Sequence, residues 1–148
     1  MLQALKHGWG VLQPVGDRLP YDLVFDVSDR LIKIQVKSAW FDTSSKNYVI
    51  DNRRTKTNRR RMVRSPYRSD DFDFAIAYIP DLDVFYIFPA DVFISYGSEI
   101  HLVEAQKRQR KPRSAEYRQR WDLIGDPIAV PEIKWQFLPV GDTISWAC

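Results

Sequence analysis

The sequence predicts a globular chain of mixed strands and helices, an α+β class. Extended apolar stretches are joined by short turns, helix signals are few and brief, and the composition supports a core. Apolar residues make up 45% and aromatics 14% of the 148 residues, far above what disordered or low-complexity chains carry. That length suits one domain over residues 1–148, and no internal repeat or linker-like stretch divides it.

Leu2 to His7 reads as the last turns of a helix, ended by Gly8 and Gly10 and too short to stand alone. On this reading the chain is expected to begin mid-element. Val11 to Val15 is a short extended piece closed by the turn residues Gly16 and Asp17, and Pro20 keeps Leu19 out of helical geometry. Tyr21 to Val27 alternates and is β-branched or aromatic in character. Ser28, Asp29 and Arg30 turn it into Leu31 to Ala39, which makes an antiparallel hairpin. A further strand is expected around Tyr48 to Ile50, and residues 53–68 should project as a long loop or ribbon. Phe72 to Ile79, turned by Pro80 and Asp81 into Val84 to Phe88, is apolar on both faces and should be buried centrally. Pro89 opens a short helix through Phe93, and Ile100 to Val103 is another strand. Ser114 is placed to cap a helix to about Ile124, with Tyr117, Trp121 and Ile124 on one face, ended by Gly125. The tail, with Pro127, Pro131 and Pro139, is irregular, yet Trp135, Phe137 and Trp146 require packing. Trp9, Trp40 and these tail aromatics read as core residues rather than base-stacking platforms.

Charge is concentrated. Arg53, Arg54, Lys56, Arg59, Arg60, Arg61, Arg64 and Arg68 give +8 over 53–68 with no acid among them. Lys107, Arg108, Arg110, Lys111, Arg113, Arg118 and Arg120, against Glu116 alone, give +6 over 107–120. The net charge of +3 therefore leaves −11 for the rest of the chain. Such runs are tolerated facing a polyanion or open solvent. Twelve of the fifteen cations are Arg, whose planar fork suits phosphate oxygens and guanine edges, so nucleic acid is the leading partner. A solvated loop is the plain alternative for either run. A membrane surface fits less well, because neither run is interleaved with apolar residues at helical spacing. The longest apolar run, Phe74 to Ile79, is six residues, against roughly 20 for a membrane span, and no signal peptide is expected before it. With Cys148 as the only cysteine, the chain can build neither a disulfide nor a thiolate zinc site, and a reducing cytoplasm is the expected compartment. His7 and His101 lack ligand spacing.

The chemistry-bearing segment is Pro20-Tyr21-Asp22 followed, after twelve residues, by Gln35-Val36-Lys37. Strand alternation puts Gln35 and Lys37 on one face and sends Val36 toward the core. In a hairpin, Asp22 can approach the end of the next strand, where Lys37 lies. A carboxylate, an amide and an ammonium would then converge. That set suits phosphodiester hydrolysis: Asp22, the Gln35 carboxamide oxygen and the Val36 carbonyl form a hard-oxygen shell for Mg²⁺, and Lys37 orients the attacking water or neutralises the phosphate. On the residues alone, Asp22 could equally cap a turn, Gln35 bond backbone, and Lys37 be a surface cation.

The stretch Gly8-Trp9-Gly10-Val11-Leu12-Gln13-Pro14-Val15-Gly16-Asp17, then Tyr21-Asp22-Leu23-Val24, then Ile34-Gln35-Val36-Lys37-Ser38-Ala39 resembles the PD-(D/E)XK nucleases, with Gln in the middle position. It looks like their bacterial branch encoded by group I introns, the homing endonucleases. The likeness runs over about residues 8 to 95. It implies a restriction-endonuclease-like α/β fold with a mixed β core flanked by helices, and Mg²⁺-dependent cleavage of both strands of a long double-stranded DNA site by a homo-oligomer, dimer or tetramer. It further implies that Asp22 is the metal-binding aspartate and Lys37 the catalytic lysine, with Gln35 where Asp or Glu is usual. Relatives often supply a glutamate from the helix before the first strand. This chain has no acid before Asp17, so that glutamate is lost or encoded upstream of Met1, with Asp17 and Asp26 as local substitutes. A chain that keeps the fold and binds DNA or RNA without cutting is the alternative, as is a junction-resolvase or restriction-type nuclease.

Overall fold

The computed structural model describes residues 1–16, 18–58, 61–105 and 111–128, with backbone alone at 56–58 and 61–63. Asp17 and the aromatic tail of Trp135, Phe137 and Trp146 lie outside the described residues.

A five-residue helix, α1 (Leu2–Lys6), ends at Gly8, whose φ of +75° turns the chain back under the helix. It leads into β1 (Gly10–Leu12), which pairs antiparallel with β2 (Leu23–Val27). The hairpin from β2 to β3 (Arg30–Ser38) is closed by two residues rather than three. Ser28 and Asp29 both have positive φ, 48° and 65°, as a tight turn matched to strand twist requires. After β4 (Trp40–Asp42) and β5 (Asn47–Asp51), the basic run forms a two-stranded ribbon, β6 (Arg53–Asn58) and β7 (Arg61–Pro66). The second predicted hairpin is present as β8 (Phe74–Ile79) and β9 (Val84–Pro89), followed by the short helix α2 (Ala90–Ile94) and β10 (Glu99–Leu102).

The main sheet runs β1-β2-β3-β8-β9; β3 and β8 are parallel, so the mixed sheet is antiparallel at every other junction. A three-stranded sheet, β10-β5-β4, belongs to the long crossover between the two parallel strands and its continuation. Two cores result. Phe25, Ile32, Ile34, Ile76 and Ile87 pack with Trp9, Ala4 and Ile124 on one side. Ala75, Ala77, Tyr86 and Phe88 pack with Ile50, Phe72, Phe93, Ile100 and Leu102 on the other. Alternation along β8 and β9 assigns successive residues to opposite cores, which is why this hairpin is apolar on both faces. Within the second core Ala75 stands opposite Phe88 and Ala77 opposite Tyr86, so small residues leave room for rings.

Three sequence expectations need correction. Over residues 114–124 there is no α-helix. Instead two 3₁₀ turns, Arg113–Tyr117 and Trp121–Leu123, are separated by Gln119 at φ 56°, and the Ser114 hydroxyl donates to the His101 carbonyl instead of capping. The segment is used as a strip along the sheet edge. Tyr86 and Arg118 form a β-bridge, the Gln119 amide donates to Phe85, and Arg118 grips Glu104, which also accepts from the Tyr86 hydroxyl. These bonds satisfy the outer edge of β9 at the expense of helix geometry. Second, Trp40 is 47% exposed on edge strand β4, whereas Trp9, 1% exposed, is core as expected. Third, Val36 is exposed rather than in the core; β2 begins opposite Ile34, so Val36 extends past its neighbour. No described helix is long and apolar enough to cross a membrane.

At Gly8 an added Cβ would fall 2.3 Å from the Ile128 carbonyl oxygen, backbone that is itself tied to His7 by a 2.8 Å hydrogen bond. Gly16, at φ 87°, has open space around it. Gly16→Ala should thus lose only the left-handed backbone cost, about 1 to 2 kcal/mol, while Gly8→Ala loses more than that because its neighbour must also move. Urea unfolding of the two variants measures the difference.

Candidate active site

The site forms where the β2 ladder stops. The Asp22 amide still donates to the Ile34 carbonyl at 2.9 Å, but the chain then leaves the sheet, and the next amide of β3 has no strand opposite it. The Asp22 carboxylate takes that place. Its Oδ2 accepts from the Val36 amide at 2.8 Å and from the Gln35 side-chain Nε2 at 2.6 Å. Gln35 is 8% exposed, and its Nε2 also donates to the Val36 carbonyl at 3.1 Å. Two oxygens, Asp22 Oδ2 and Val36 O, therefore converge on one donor nitrogen.

Lys37 points to a different partner. Its Nζ donates to the Arg53 carbonyl at 3.0 Å, at the root of the ribbon, and stands 5.0 Å from the centre of the Tyr67 ring. Burial pushes the Lys37 ammonium below its ordinary value, and the Asp51 and Asp22 carboxylates act against that shift. Asp22 and Lys37 thus share a neighbourhood electrostatically without bonding directly. Asp51 and Tyr67 were not flagged by the sequence. Asp51 accepts both the backbone amide and the guanidinium of Arg53, the latter at 2.9 Å, and lies 3.7 Å from Arg64. Burial works upward on the Asp51 carboxyl, yet the hydrogen bonds and charge of Arg53, with Arg64, hold it below the usual range. The Tyr67 hydroxyl is pushed well above its usual value by burial and by the Asp22 carboxylate. The only advance signals were that Asp51 borders the basic run and that Pro66 ends the ribbon just before Tyr67.

Of the predicted DNA-facing cations, Arg53 and Arg64 converge at Asp51, Arg54 donates to the Arg18 carbonyl, and Arg68 lies exposed beside Asp70. The side chains of Lys56 and Arg61, together with Arg59, Arg60, Lys107, Arg108 and Arg110, lie outside the described residues. In the second run Arg118 and Arg120 are paired with Glu104 and Asp122, so part of that charge serves packing. Asp26 sits at the far end of β2 from Asp22, opposite Leu31 and Gly10, and does not join the site. The first turn of α1 carries no acid, and among the described residues no three His, Cys, Asp or Glu side chains gather at ligating geometry.

A family model of PD-(D/E)XK endonucleases matches residues 1–124. The chain belongs to the PD-(D/E)XK endonuclease family. Among solved structures, that of a bacterial homing endonuclease, I-Ssp6803I, is similar at 68% identity over 83% of this chain and 83% of its own, with a TM-score of 0.77. A comparison with curated proteins gives no match. The expected homing branch of the family and the mixed-sheet nuclease fold are both borne out by these likenesses. Nucleases of this family generally use divalent metal ions. The donors of this endonuclease fit such an ion. Asp22 and the Val36 carbonyl already point at a shared position, taken by the partly positive amide nitrogen, and Gln35 carries an oxygen on the same group. All three are hard oxygen donors.

Gln35→Glu would replace that nitrogen by a second carboxylate facing Asp22. In EDTA the variant should be less stable than the parent by about 1 to 3 kcal/mol, because like charges meet where a hydrogen bond was. Excess Ca²⁺ should recover the loss, as read by urea unfolding with and without the ion.

Proposed function

We propose that the chain is a site-specific homing endonuclease that hydrolyses phosphodiester bonds in both strands of DNA with Mg²⁺ as its metal. The observation that carries this reading is the convergence of the Asp22 carboxylate and the Val36 carbonyl on one position beside a half-buried lysine. Asp22, the Gln35 carboxamide oxygen and the Val36 carbonyl would hold the ion, which when bound supplies positive charge against the reacting phosphate. With one carboxylate in the shell instead of two, Mg²⁺ affinity is modest.

Lys37 serves the water and the phosphate. Its ammonium is desolvated by Tyr67 and anchored by the Arg53 carbonyl, so it has few orientations and retains protons to direct at the attacking water or a phosphate oxygen. Removal from water strengthens its charge interactions. The ribbon of β6 and β7 then enters a groove or follows phosphates near the cut, and residues 107–110 grip flanking backbone or serve assembly. Each chain has one such centre, so cutting two strands together needs at least two chains, and twofold symmetry would match an imperfect palindrome.

A plasmid nicking assay tests the activity. Lys37→Ala should lower cleavage by more than about 100-fold while leaving DNA binding in Ca²⁺ within about twofold of the parent. Loss of binding in parallel would make Lys37 structural, and an inactive parent with intact binding would mean that the fold has kept only its grip on DNA.

Replacing Arg59, Arg60 and Arg61 together by Ala should reduce the slope of log affinity against log salt by about three if each meets a phosphate. An unchanged slope in a salt titration of duplex binding would remove these three arginines from the interface.

A further inference from the structure

A cleft of about 270 Å³ opens between the root of the ribbon and the loop after α2, and the chemistry described so far makes no use of it. Its walls include Arg53, Arg64 and Tyr67 from one side and Tyr96 and Ser98 from the other. The two sides are locked together. Asn52, 6% exposed, donates through Nδ2 to the Phe93, Tyr96 and Gly97 carbonyls, and its backbone amide donates to Ser98. The cleft is therefore a fixed feature of the fold.

Two of its walls are shared with the lysine site. The Arg53 carbonyl accepts the Lys37 ammonium while the Arg53 side chain lines the cleft, and the Tyr67 ring that faces Lys37 is also a cleft wall. Asp51 holds the Nε and Nη2 edge of Arg53 at 2.9 and 3.2 Å, which fixes the guanidinium and leaves its remaining donors unspent on that partner. Arg64 lies at 3.7 Å from the same carboxylate and is about half exposed, so one acid stands between two guanidiniums. Arg54, Asp22 and Asp71 act on the Tyr67 wall and Glu99 acts on Arg53; with Lys37, Arg64 and Asp51 the surrounding cations and acids balance, so an anion here is recognised by oriented donors rather than by net charge. Pre-oriented guanidiniums beside a hydroxyl-bearing loop suit a tetrahedral anion with several acceptor oxygens.

We propose that this cleft seats a backbone phosphate of the DNA next to the one that is cut, with Arg53 and Arg64 as its ligands and Ser98 at its rim. The reading rests on the endonuclease assignment and extends it: the strand is held on the ribbon side of Lys37 by a pocket built from β6, β7 and the 96–98 loop. Holding the neighbouring phosphate fixes the register of the reacting one against Asp22 and Lys37.

The test is duplex binding in Ca²⁺ with the full chain, using a duplex selected by the parent protein from a random library. Ser98→Asp places a carboxylate at the rim without touching the ribbon, and Arg64→Ala removes a ligand. Each should weaken binding about tenfold, the size of one charge-assisted hydrogen bond, and Arg64→Ala should lower the salt slope by about one. Thr43→Asp, in the exposed turn at the opposite end of β5, should stay within about twofold. Parent-like binding by Ser98→Asp would overturn the proposal, and so would equal weakening by Thr43→Asp, which would make the effect one of net charge. Because the readout is binding, a failure here is separate from a failure of cleavage in the nicking assay.

Discussion

The structure of the site depends on one unfinished ladder. A strand amide inside a sheet must find an acceptor, and at Val36 the neighbouring strand has already ended. Asp22 supplies the missing acceptor with its side chain, and the same oxygen takes the Gln35 amide. The carboxylate is thereby fixed by two donors from β3, and the exposed carbonyl of Val36 is left beside it. Geometry that would be a defect in the middle of a sheet becomes, at its end, a pair of oriented oxygens. That pair is supported by β3, which is buried in one core through Ile32 and Ile34, and by its parallel partner β8, which is buried on both faces.

Lys37 extends the same logic along the strand. It lies two residues past Gln35, so its side chain leaves on the same face and meets the crossover, specifically the first residue of the ribbon and the tyrosine just after the ribbon's end. The catalytic candidate is thus clamped between the two roots of the most basic element in the chain. Any shift of the ribbon on a polyanion acts on the Arg53 carbonyl and so on Lys37. Asp51 limits such shifts by tying Arg53, and more loosely Arg64, to the end of β5.

Both hairpins were legible in the residues, because alternation and turn chemistry are local signals. Ser28, Asp29 and Arg30 announced a turn, one residue longer than the one that forms, and the double apolar character of 72–79 and 84–88 announced burial on two faces. The family pattern around Asp22, Gln35 and Lys37 was also legible as a motif. What the residues could not convey was the environment of each member. Alternation alone sent Val36 into the core, and the error arose because the length of β2 is fixed by where the chain turns at Pro20, a tertiary matter. The supposed helix after Ser114 failed for a similar reason. Its apolar spacing over Tyr117, Trp121 and Ile124 is real, but the open edge of β9 offers hydrogen bonds that a helix could not use, and those bonds prevailed. Asp51 and Tyr67 were invisible because they reach Lys37 only after the crossover has folded over the sheet.

Gln35 brings these strands of argument together. A carboxylate at this position would leave two like charges facing one another, with the Val36 carbonyl beside them, until a cation arrived, and burial at 8% exposure would sharpen the repulsion. The neutral amide avoids that conflict by presenting its nitrogen to both oxygens, and it carries a hard oxygen on the same group. Under the proposed function, Asp22 and two neutral oxygens would hold a divalent ion only weakly by themselves, and a DNA phosphate would supply the charge that the protein leaves unbalanced.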